Sequence, residues 1–137
     1  MLSPKKTKFR KSFKGRRSGK GIAARRNNID FGSFAMKAMT EGWVTSRQIE
    51  ATRRVITKYV QKGGKVWIRV FPDKPVSQKG GEIGMGGGKG AVDHYVAIVK
   101  PGMILFEMEG LDKEKAKNAI EAAGHKMAIK TKFISKD

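Results

Sequence analysis

Seven of the eleven residues from Gly80 to Gly90, GGEIGMGGGKG, are glycine, and no other stretch restricts the fold as much. Glycine loses more backbone freedom on folding than any other residue, so the run is costly to order and cheapest to leave unordered until a partner orders it. The missing side chains also let a backbone approach a ligand closely. Within the run only Glu82, Ile83, Met85 and Lys89 carry side chains. It lies between two segments that read as strands. It is therefore either a long hairpin tip or a finger that a rigid scaffold offers to a large anionic surface.

Charge separates these alternatives. The chain has 137 residues, enough for one domain with a modest core, and carries 30 Lys and Arg against 12 acids, a net charge of +18. Self-repulsion of that size destabilises a lone compact chain and calls for a polyanion, nucleic acid ahead of an anionic membrane surface. Without cysteine there is no disulfide or cysteine-based zinc site, and His94 and His125 alone supply histidine chemistry poorly. No apolar run approaches the roughly 18 residues of a membrane span, and no signal-peptide core follows the basic N-terminus. The expectation is a soluble protein inside the cell.

Along the chain, residues 1–26 hold eleven cations and no acid: Lys5, Lys6, Lys8, Arg10, Lys11, Lys14, Arg16, Arg17, Lys20, Arg25 and Arg26. Interleaved Phe9 and Phe13 and three glycines complete a segment that reads as an arm laid along phosphates, a solvated tail being the plainer alternative. Residues 1–28 are thus an RNA-binding arm and 29–137 a globular domain with a flexible loop at 78–90. Residues 29–39 read as a strand with a glycine kink or a weak helix, and Gly42 as a turn. Thr45 to Gln61 is the clearest helix: Thr45 and Gln48 fit a capping box, and Gly63 and Gly64 end it. Ile49, Thr52, Ile56 and Val60 share its inner side, while Arg47, Arg54 and Lys58 lie within about 40° of one another opposite. Glu50 is the sole acid on this helix to pair with that row. Alternation predicts strands over 65–71, 91–99 and 103–109, with Ile104, Phe106 and Met108 inward and Trp67 and Phe71 packed under a helix. Asp112 caps a helix to about Ala123, Leu111 staples onto Ala116, Gly124 is its C-cap, and residues 128–134 form a last strand. The class is α+β, one small domain with a mixed, mostly antiparallel sheet and two main helices.

Enzymatic readings fail on the residues. A Walker loop would need Ser or Thr after Gly88-Lys89, where Gly90 stands, and a glycine at Ile83. A dinucleotide fingerprint on Gly86, Gly88 and Ala91 opens a strand and not a helix. No catalytic residue, metal site, cofactor or small-molecule substrate is expected, and His94 reads as structural. A DNA-compacting protein is the runner-up.

The stretches KTKFRKSFKGR from Lys6, DFGSFAMKA, SRQIEATRRVI, GGKVWIRVFPDKPVSQK, GMGGGKG and VAIVKPGMILFEMEG together resemble the bacterial-type large-subunit ribosomal protein L-sixteen family, which is shared with the archaeal and eukaryotic L-ten-e proteins. The resemblance covers essentially the whole chain. It implies an α+β domain on large-subunit ribosomal RNA beside the peptidyl transferase centre, among neighbouring ribosomal proteins. It also implies a role in late subunit assembly and a place in the ribosome of the cytoplasm or of an organelle, with no membrane partner. It maps RNA contact to Lys5–Arg17 and to Arg47, Arg53 and Arg54. Arg25, Arg26 and Lys58 join this set through charge. Contact with A-site tRNA, and further with P-site tRNA, maps to Lys79, Gly80, Gly81, Gly84, Met85, Gly86, Gly87, Gly88, Lys89 and Gly90. Where the family often has a hydroxylatable arginine before Met85 this chain has Gly84, and Gly87 stands where a lysine is common. Backbone approach and shape then carry more of the tRNA contact than charge does.

Overall fold

A computed structural model describes residues 2–4, 27–60, 63–77 and 92–136. The basic segment 5–26 and the glycine-rich loop, including Lys79 to Gly90, lie outside these residues, so the readings placed there stay expectations. The elements run β1 (Phe34–Ala38), β2 (Gly42–Thr45), α1 (Ser46–Tyr59), β3 (Lys65–Ile68), β4 (Lys74–Ser77), β5 (Val92–Val99), β6 (Ile104–Glu109), α2 (Lys113–Gly124) and β7 (Thr131–Ser135). The α+β class with two helices stands, and the strands part into two sheets. One has the order β3-β6-β1-β7 and the other β2-β5-β4, with every pair antiparallel.

One core joins the sheets. α1 packs on α2 and also meets β2, β3 and β5, while α2 covers β7 and β1. Met36 and Leu105 from the first sheet, Val44 and Val99 from the second, and Ile49, Ile56, Ala119 and Ile120 from the helices meet in it. Strand β6 is buried on both faces. Beside the expected Ile104, Phe106 and Met108, Leu105 is fully buried, and so is Glu107. A strand with a neighbour on each side and packing above and below reads as a continuous apolar run, so alternation understates its burial.

Helix α1 follows its sequence pattern. Thr45 Oγ1 accepts from Gln48 N at 3.2 Å, and Gln48 Oε1 accepts from Thr45 N at 2.9 Å, closing the capping box. Ile49, Thr52 and Ile56 are its buried residues; the Thr52 hydroxyl donates to the Gln48 carbonyl at 2.7 Å. The helix stops at Tyr59, and Gly63 turns the chain at φ +98°. Asp112 caps α2 by accepting from Lys115 N at 2.8 Å. Gly124 is not the C-cap: it is the last helical residue, and His125 takes the cap in right-handed conformation. What Gly124 answers is crowding, because a Cβ there would stand 2.6 Å from Thr131 Oγ1.

Other boundaries moved for physical reasons. The short strand β2, GWVT, runs directly into the α1 cap, so Gly42 begins a strand rather than marking a turn. Strand β4 contains Pro75, which edge position tolerates because one missing ladder donor costs little there. β7 begins at Thr131. Met127 and Ile129 before it fill the core from an irregular stretch, which mimics strand alternation. β3 ends at Ile68, although Arg69 N still donates to the Leu105 carbonyl at 2.9 Å. Trp67 stacks on Phe31, and Phe71 is exposed rather than packed under a helix.

Candidate nucleic-acid interface

Because the inner side of α1 is fixed by Ile49, Thr52 and Ile56, its cations are fixed on the other. Arg47, Arg54 and Lys58 are exposed. Arg53 lies nearer the apolar side, as its wheel position requires, with its side chain 37% exposed against 72% for Arg54. Glu50 engages both. It accepts from Arg53 Nε at 3.1 Å and Nη2 at 2.6 Å, and from Arg54 Nε at 3.3 Å. The Arg53 hydrogen bonds, with the fields of Arg53 and Arg54, outweigh desolvation and bring the Glu50 carboxyl down to about 2. Glu50 is thus ionised at every physiological pH. The helix surface presents four cations and this one acid, and Arg53 is the cation most occupied by it.

The glycine-rich loop connects β4 to β5, neighbours in the three-stranded sheet. Thr45 pairs with Val96 of β5, so α1 begins beside that sheet. Thr45, Ser46, Arg47 and His94 line one cleft there. The first cation of the α1 row and the root of the loop therefore share one end of the molecule. Lys58 stands at the far end of the helix.

Sequence reasoning missed a second cluster. Glu107, in the middle of β6, is fully buried. Its Oε1 accepts from Phe31 N at 2.7 Å, Gly32 N at 2.8 Å and Asp30 N at 3.1 Å. Arg69 Nη1 donates to its other oxygen and to the Asn28 carbonyl, the latter at 3.2 Å, while Nη2 reaches Asp30 Oδ2 at 3.1 Å. Burial pushes the Glu107 carboxyl up, but the amides of Gly32 and Phe31, the Arg69 guanidinium and the Asp30 amide together hold it below its ordinary range. Gly32 is needed for the wrap: a Cβ there would meet the Met108 carbonyl oxygen at 2.7 Å. Arg69 lies 5.3 Å from the Phe31 ring centre, and Phe31 stacks on Trp67 at 6.1 Å. Residues 28–32, immediately after the basic segment, are thereby locked to the first sheet. The one available signal was a lone acid inside the apolar run ILFEME.

Among the described residues no group of His, Asp and Glu is arranged to hold a metal ion, and no helix is long and apolar enough to cross a membrane. Residues 4–134 match the family described as ribosomal protein L16p/L10e. Similar proteins include the large ribosomal subunit protein uL16c of Porphyra purpurea, 58% identical over 134 residues, covering 98% of this chain and 95% of that one. Those of Gracilaria tenuistipitata (99% of each chain) and Spirogyra maxima (98% and 92%) are each 54% identical. A family match across nearly the whole chain, joined to the fold and an exposed cation row on α1, leads to one conclusion: this chain belongs to the ribosomal protein L16p/L10e family and is a ribosomal protein, not an enzyme.

Proposed function

We propose that the protein is a structural constituent of the large ribosomal subunit that docks on its RNA by displacing counterions from phosphates. The contacts are Arg47, Arg54 and Lys58 on α1, with Arg53 contributing in part, together with the basic arm of residues 1–28. The body, residues 29–137, offers the loop Lys79–Gly90 to A-site tRNA, and further to P-site tRNA, near the peptidyl transferase centre. Docking supports late assembly of the subunit. The observation that carries this reading is the exposed cation row on α1, opposed by a single acid, in a chain of charge +18. Support for the loop comes from its place at the end of the β4–β5 pair, beside the start of α1.

The test is a salt titration of binding to large-subunit RNA. Each phosphate neutralised contributes about −0.9 to the slope of log affinity against log salt on duplex, and about −0.7 on single strands. The triple variant Arg47→Ala, Arg54→Ala, Lys58→Ala should flatten the slope by about 3, roughly one for each cation, while melting like the parent. A slope unchanged in a folded triple variant removes α1 from the interface.

A further inference from the structure

A lone exposed apolar side chain needs no explanation, but a fixed cluster does. Phe31 and Phe71 are 57% and 44% exposed, and both line one cleft with Leu2, Ile68, Arg69 and Val70. Trp67 and Arg69 are two residues apart and share a side, and the Phe31 ring lies near both. The Phe31 amide is meanwhile held by Glu107 at 2.7 Å. The ring is thus ordered before any partner arrives, and the entropy of fixing it is not charged to binding.

Charge indicates the partner. Leu2 lines the cleft, and the Asn28 carbonyl is bonded to Arg69 in its wall. Both ends of a segment with eleven cations and no acid therefore reach the body at this cleft. The acids beside it are occupied: Glu107 by three amides and Arg69, Asp30 by Arg69. Exposed rings beside concentrated positive charge are the combination that binds unpaired nucleotides, rings for bases and cations for phosphates.

We infer that the cleft bounded by Leu2, Phe31 and Phe71 is an RNA-docking site in which an unpaired nucleobase stacks on Phe31. This rests on the ribosomal-RNA reading above and adds to it a contact that carries no charge. The experiment uses the full chain and large-subunit RNA, with Phe31→Leu, Phe31→Trp and Phe71→Leu variants and a thermal melt of each. A lost base–aromatic stack weakens binding by about fivefold or more. Phe31→Leu should show that loss with the salt slope unchanged, and Phe31→Trp should bind like the parent. If Phe31→Leu melts like the parent and binds equally well, the inference is overturned. A defect seen only when other ribosomal proteins are present also overturns it, and assigns the cleft to a protein neighbour. If Phe31→Leu does not fold, Phe71→Leu decides by the same two readouts. Failure of the parent itself to bind in a salt-dependent manner would instead sink the broader RNA reading.

Discussion

Glu107→Gln is the sharpest perturbation this structure offers. The substitution keeps shape and removes charge. Glutamine's oxygen can still accept from the Phe31 and Gly32 amides, but its NH2 then faces the Arg69 guanidinium, donor against donor. Arg69, with its side chain only 12% exposed, is left with Asp30 and the Asn28 carbonyl. Removing one partner of a buried pair costs about 3–5 kcal/mol. The remaining Asp30 contact places the expected loss near the lower end, about 3 kcal/mol. Against a total of roughly 5–15 kcal/mol this is a large fraction. At this chain length it lowers the melting temperature by about 10 °C. The effect has a pH signature. A carboxyl held below its ordinary value of 4.5 gives stability that is full above that pH and is lost as pH falls through the lower folded value. The gap between parent and variant should be flat from pH 5 to 8 and close progressively below 4.5. Urea unfolding at several pH values measures it. A variant within about 0.5 kcal/mol of the parent at pH 7, or a gap that persists undiminished into strong acid, would refute the reasoning.

Thr45→Ala removes both reciprocal bonds of the α1 capping box and should cost about 1 kcal/mol, read as a lower denaturant midpoint with unchanged slope. Glu50→Gln releases Arg53 and Arg54 from their shared acid. The salt dependence of RNA binding should then steepen, by at most about one unit for each guanidinium, and an unchanged slope would mean that Glu50 does not compete with phosphate.

Helices were the most legible part of this chain, because caps and a 3.6-residue apolar period act within a few positions of each other. Thr45, Gln48 and Asp112 are found in the roles their spacing implies. Strands β2 and β4 were not legible: four residues carry too little period, and a proline masks the second. The burial of both faces of β6 depends on partners far away in sequence. The same holds for Glu107, whose three amide donors lie 75 to 77 residues earlier. Of the candidate site, the α1 row was readable because one helix displays it whole. The pairing of Arg53 and Arg54 with Glu50 followed from spacing of three and four, yet its strength did not. Phe31 and Phe71 were invisible as a pair, since only the fold brings them to one cleft.

The two sheets leave four outer strands, β3, β7, β2 and β4, none longer than five residues. Lys65 stands on the first, Lys132 on the second, and Lys74 with Pro75 on the last. Such borders resist recruitment of a foreign strand, because like charges meet and ladder donors run out. A newly made copy waiting for its RNA is therefore shielded from sticking to its siblings by backbone pairing. GWVT of β2 carries neither lysine nor proline, and clumping of an orphan pool would begin there.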